Sequence, residues 1–404
     1  MTRTERTYYI VFGLYTQWGW FMAPIYPLFL LSLGLDLFQV NVVLAIYLIS
    51  IFLFEVPTGA IADVFGRKAS FIASCAVRAC AFFLYARAET FGDCVVAEVL
   101  DAIGTTLASG ALDAWAVDGM QAEGNRTSTD RFFARAQMLS RMVMVVGGVV
   151  SGYIAEVSFR LNWGIAGVGF VVTGLIAVLM MTEPPRLRLS SAEPGSQFIA
   201  TVREGWAIVR TSRELMVLCL LSGAIVFAAV PTHMLWQTRV KDFASESVSI
   251  MGWVWALMNL AALTGSYLLP PLLRRFPREI LLAASALWRG GMLLLAALAG
   301  SFAPVLFGIL MQEAAFGLSE PIFMASINDR IGPERRATVI SVRSMFVTLG
   351  GALGLVTLGL VARGQGIPTA WVIAGVILFA IAPWFLMLCG RRDAESLDTA
   401  AAEH

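Results

Sequence analysis

The stretch GAIADVFGRK, residues 59–68, sets Asp63, Arg67 and Lys68 between two apolar runs, each long enough to cross a membrane. It reads as a short charged turn, and composition says what surrounds it. Hydrophobic residues make up 58% of the 404 and charged residues 14%, with a mean hydropathy of +0.75. A soluble domain is about a quarter charged, so this composition belongs to an integral membrane protein. A bilayer core of about 30 Å takes about 20 apolar residues per helix. Twelve such segments fall near 8–31, 37–61, 69–86, 93–117, 132–157, 161–182, 214–236, 248–272, 279–299, 302–326, 336–362 and 368–390. Strands of a membrane barrel would be shorter and alternate with period two. The expected fold is all-α, with twelve transmembrane helices.

Basic residues set the orientation. With the N-terminus inside, only Arg87, Arg160, Arg239, Lys241 and Arg363 fall on the far side, and Arg78, Arg135, Arg141, Arg289 and Arg343 fall within helices. The expectation is that both termini and the 59–68 turn are cytoplasmic, in the plasma (bacterial cytoplasmic) membrane. The first apolar run is too long for a cleavable signal peptide. The sequon at Asn125 would then face the cytoplasm and reads as chance. Cys75, Cys80, Cys94, Cys219 and Cys389 form no CxxC pair, which predicts neither a disulfide framework nor a metal site. A net charge of +1 carries no nucleic-acid signal.

The longest polar segment lies midway. It opens with EPPRLRLSSAEPGS, residues 183–196, a linker composition. QFIATVREGWAIVR follows and puts Phe198, Val202, Trp206 and Val209 on one helical face. That face suits a helix on the inner membrane surface, and equally one packed against the cytoplasmic ends of the bundle. The expected division is a six-helix bundle over 1–182, a cytoplasmic linker over 183–213, a second bundle over 214–390 and a tail over 391–404. An internal repeat agrees with two halves. FGRKASFIASCAVR, ending at Arg78, matches FPREILLAASALWR, ending at Arg289, at a constant offset of 211 residues. Further on, RAQMLSR at 135–141 is similar to RATVISVR at 336–343. Parallel six-helix repeats place a solute path between halves.

The opening stretch resembles the loop between helices 2 and 3 of the major facilitator superfamily, Gly-x-x-x-Asp-x-x-Gly-Arg-Lys/Arg. Gly59, Asp63, Gly66, Arg67 and Lys68 fill its key positions. Gly59 leaves room for a close helix and Gly66 permits a tight turn. Asp63 suits the positive N-terminal end of a helix, which in the family is the eleventh, beginning here near Arg336 and Ala337. The resemblance implies that Arg67 pairs with an acid ending helix 4, Asp118 or else Asp113, and that the cluster latches the halves together. Arg274 stands where the second half would need the Asp63 counterpart, so the latch is expected on one side only.

Charges at bilayer depth cost about 2.5–3.5 kcal/mol each and face a cavity or a partner. In the superfamily helices 1, 4, 7 and 10 line the cavity, which draws attention to Glu98 and Asp101 on helix 4 and to Glu313 and Glu320 on helix 10. Desolvation favours a neutral acid and a nearby Arg an ionised one, so an acid alternating between those environments loads and releases a proton. Asp101, Glu313 and Glu320 are the proton-coupling candidates, the alternative for each being a static partner of a membrane arginine. Helical rise brings Arg78 level with Asp101, and Arg289 level with Glu313. The separations are 23 and 24 residues, and two pseudo-symmetric charge pairs are expected. Gln17, Trp18, Trp236, Gln237 and Asn259, with Trp255, are candidates to line the cavity, where aromatic and amide groups suit an amphipathic solute. Arg141 and Arg343 either bind an anion or close an inner gate with Asp113 and Glu320.

His233 and His404 are the only histidines, and no H-E-x-x-H, G-x-S-x-G or P-loop is present. An enzyme is therefore not expected, nor a cofactor, and an ion or solute gradient must supply the drive. The chain reads as a monomeric secondary transporter of a small organic solute, with protons coupling efflux by alternating access. Two departures from drug–proton antiporters keep uptake of an organic anion or sugar-like solute open: VVGGVVSGYIAE in helix 5 has no proline, and Leu100 stands where an Arg is expected. A non-transporting receptor is the rival from another class.

Overall fold

The computed structural model describes residues 1–124, 128–183, 194–244, 247–331 and 336–387, without the side chains of residues 63, 130, 194–202, 336 and 337. It is all-helical, with no strand among the described residues. Among the described residues, eleven helices are long and apolar enough to cross a membrane. The first expected span is the exception. It is broken into α1 (Arg3–Gly19) and α2 (Tyr26–Ser32). Pro24 and Pro27 lack the N–H that a continuous helix would use across this break. Span 4 is likewise divided into α5 (Phe91–Ala108) and α6 (Ala111–Ala122), because Gly110 takes the left-handed conformation with φ 70°.

Local signals start several helices. Thr2 with Glu5 caps α1, Asp36 with Gln39 caps α3 (Leu37–Phe65), and Thr90 with Asp93 caps α5, each as a reciprocal capping box. The turn at 59–68 is short because Gly66, at φ 108°, both ends α3 and starts α4 (Arg67–Arg87). A β-carbon at Gly59 would meet no atom within 4 Å. The close helix approach expected there is not what that glycine serves within its unit.

The chain divides into two compact units, Met1–Ile199 with Glu246–Ala256, and Ala200–Ser245 with Leu257–His404. In the first, α4 packs between α5 and α8 (Phe159–Met180), and α1 against α7 (Thr129–Val157). In the second, α12 (Arg278–Leu298) packs between α13 (Phe302–Asn328) and α15 (Ile367–Leu386), and α10 (Arg213–Lys241) against α14 (Arg336–Gln365). In these three contacts the elements related by the sequence repeat correspond. The first core holds Tyr8, Phe71, Trp115 and Phe132, all fully buried. Outward faces are apolar too, as Leu179 shows at 79% exposure. Lipid accepts such a face as readily as a core does.

The helix α9 (Pro194–Thr211) makes close contacts over its second half. Gly205 lies against Thr338 and Val342, Trp206 stacks on Phe346 at 6.1 Å, and Val209 is fully buried. From Arg203 on, α9 packs against α14 within the second unit.

Candidate functional site: intramembrane charges in each unit

In the first unit α4 carries Arg78 and α5 carries Asp101. The Arg78 Nε donates to one Asp101 oxygen at 2.7 Å and Nη2 to the other at 3.2 Å. Parallel donation to both oxygens is the strongest guanidinium–carboxylate geometry. The guanidinium also lies 4.5 Å from the ring centre of Phe170 and 5.0 Å from that of Tyr15. Gly104 makes this possible, since a β-carbon there would come within 2.4 Å of the Arg78 Cγ. Nearby, Tyr85 donates to Glu98 and shares a 2.9 Å hydrogen bond with Tyr26. Asp101 is therefore engaged through both oxygens by Arg78.

The second unit repeats the arginine but not its partner. At the 211-residue offset, Asp101 corresponds to Gln312, a neutral amide. Arg289 is 3% exposed, and its Nε and Nη2 have no hydrogen-bond partner. Glu313, one residue further on, does not pair with it. Its Oε1 instead accepts from the Gln312 Nε2 at 3.0 Å and lies 3.4 Å from the His233 Nε2. The expected Arg289–Glu313 pair is thus not formed. One residue turns a helix by about 100°, which aims position 313 at α10 rather than along the direction Asp101 takes in α5.

Two cavities adjoin these groups. One of about 10 Å³, room for about one water, is lined by His233, Trp236, Gln312 and Glu313. The other, of about 190 Å³, is lined by His233, Arg289, Glu320 and Arg343 among mostly apolar neighbours. Arg343 donates through Nε to the Ser222 hydroxyl at 3.0 Å, and its Nη2 is 3.5 Å from Glu320. His233 borders both.

At the turn around Gly66, Arg67 Nη1 pairs with Asp118 and donates to the Ala114 carbonyl at 2.6 Å. Both partners belong to the first unit, so this pair ties α4 to α6. The second unit has the same device: Arg278 pairs with Asp329, again 51 residues on. The carboxylate that receives a helix N-terminus here is Glu183, which accepts from the backbone N–H of Arg67 and of Lys68 at 3.1 Å each. Lys68 Nζ in turn donates to the carbonyls of Val178 and Met181 that end α8. The side chains of Asp63, Arg336 and Ala337 lie outside the described residues.

A sequence profile of the Major Facilitator Superfamily matches residues 8–275 and 240–404. The chain belongs to this superfamily. It is therefore a multi-pass membrane transporter and not an enzyme. This facilitator is 22% identical over 368 residues to YxaM, an uncharacterized MFS-type transporter of Bacillus subtilis, covering 88% of each chain. It is 26% identical to the multidrug resistance protein MdtH of Cronobacter sakazakii, over 79% of this chain and 77% of that protein. Its fold is similar to the crystal structure of a mutant nucleoside transporter NupG, with a TM-score of 0.81, 14% identity, and coverage of 96% of this chain and 99% of that one.

The remaining candidates of this facilitator fall as follows. Gln17 sits over Gly147 of α7 and Trp18 over Gly169 of α8, both half-buried. Asp113 accepts from the Tyr8 hydroxyl at 2.7 Å. Gln237 and Asn259 are buried, on α10 and α11 (Ser249–Leu273), and Arg141 is half-buried on α7. The functional candidate that sequence reasoning passed over is His233. The signal was there: a lone histidine in an apolar span is a costly residue that needs a partner. Gln312 was equally legible from the offset that aligns Arg78 with Arg289.

Proposed function

We propose that this facilitator is a proton-coupled exporter of a small amphipathic organic solute, working by alternating access as a monomer. Its twelve spans, counting the broken first one, leave both termini in the cytoplasm, and the asymmetry of basic residues supports that orientation in a bacterial cytoplasmic membrane. The names of MdtH and of the macrolide efflux protein A of Streptococcus pyogenes, 23% identical over 262 residues, support efflux.

The observation that carries proton coupling is Glu313 at 6% exposure, 3.4 Å from His233 on a neighbouring helix, each beside a cavity. Of the three acids considered, Asp101 is spent on Arg78, and Glu320 sits beside Arg343 and is half exposed. Glu313 alone has a titratable partner, so a proton can pass between imidazole and carboxylate as helix movement changes their separation. The test is substrate-driven proton flux in proteoliposomes, against a panel of amphipathic cations, anions and sugars. Glu313→Gln should still exchange solute across the membrane and lose the accompanying proton movement. Proton movement at the wild-type ratio in that variant overturns the assignment. A second reading, uptake of an organic anion, draws support from the unpartnered Arg289.

A further inference from the structure

We infer that the cavity bordered by Arg289 binds the carboxylate of a small aromatic acid, whose anion supplies to Arg289 what Asp101 supplies to Arg78. The inference rests on reading this cavity as part of a solute path and names the class of solute.

Three observations carry it. First, the same two atoms, Nε and Nη2, that donate to Asp101 from Arg78 are the ones left without a partner on Arg289. A buried guanidinium stays charged in proteins, and leaving it unpaired is costly. Glu313 and Glu320 are the carboxylates whose charge reaches Arg289, yet neither forms an ion pair with it. Second, the repeat places neutral Gln312 where the internal carboxylate would be, and Gln312 turns its amide to Glu313. Third, the cavity has the size and lining of an aryl acid. A cavity of about 150 Å³ lined by apolar side chains binds benzene, and this one is about 190 Å³. Phe316 and Phe323 line it as well, with the Arg289 guanidinium 5.5 Å from the Phe316 ring centre and that of Arg343 5.3 Å from the Phe323 ring centre. Arg343 has Glu320 and Ser222 already, whereas nothing accepts from the Nε and Nη2 of Arg289. A guanidinium fork matches a carboxylate through two parallel bonds. A neutral sugar or an organic cation leaves that fork unanswered.

The probes are benzoate and 3-phenylpropionate, with benzamide as neutral comparator and acetate as comparator without a ring. Binding to the purified full-length chain in detergent is measured by calorimetry and by shift in Tm. At least one aryl carboxylate should bind ten times more tightly than benzamide and than acetate. Arg289→Gln should fold with an unchanged or higher Tm and lose that binding at least tenfold. Gln312→Asp, which installs the carboxylate of the first unit, should raise Tm and compete the aryl acid out. Equal binding of benzoate and benzamide overturns the inference. So does wild-type affinity in Arg289→Gln or, should that variant not fold, in Gln312→Asp. Because binding is read without a membrane gradient, aryl-acid binding that persists alongside absent counterflow would remove the transport reading and leave this one standing.

Discussion

Arg78 and Arg289 occupy equivalent places in two units with the same helix contacts, and their surroundings differ by what sits 23 residues on. In the first unit Asp101 completes the guanidinium, aromatic rings cover it, and Gly104 lets α5 close over its stem. In the second, the same position is Gln312, the counterpart of Gly104 is Ala315, and the arginine borders a cavity of about 190 Å³. Duplicated scaffolds can thus keep one copy of a charge as a structural tie and free the other. A buried charge with its partner stiffens a bundle, whereas one without a partner is held there at a cost and is available to an incoming anion.

The sharpest way to break this contrast is to remove the arginine of the completed pair. Arg78→Ala strands Asp101 at depth and should cost about 3–5 kcal/mol, seen as loss of monodisperse protein in detergent. Asp101→Ala added to it should recover much of the loss. A single mutant with wild-type Tm would mean that Arg78 is no more needed for the fold than Arg289. A smaller effect is expected from closing the gap over the stem: Gly104→Ala overpacks the α4–α5 contact and should lower stability by about 1–3 kcal/mol, read as a drop in Tm. If it is neutral, the glycine does not explain why the first unit closes over its arginine. The smallest effect concerns where the units agree. Asp118→Asn and Asp329→Asn each break a partly exposed pair beside the helix-start arginines Arg67 and Arg278 and should cost no more than about 1 kcal/mol, less in high salt. Melting curves of the two at low and high salt should move together. Divergence would show that the repeat does not extend to the turn.

Sequence by itself determined a good deal. Composition and run length identified a helical membrane protein, the pattern at 59–68 pointed to the superfamily, and the 211-residue offset marked the repeat. These are legible because the bilayer imposes length and polarity on each span independently of the others. The charge pairing at 78 and 101 was legible for a related reason, since depth follows from counting along a helix. Direction around a helix does not follow from depth. Positions 312 and 313 lie at nearly equal depth and point about 100° apart, so only packing of α13 against α10 and α12 decided that Glu313 meets His233 and that Arg289 is left open. The same limit hides from the sequence that Gln17 lies over Gly147 of α7 and Trp18 over Gly169 of α8. Lipid-facing and core-facing sides of a span are both apolar, so hydropathy carries no record of which side faces a neighbour. That choice belongs to the tertiary structure.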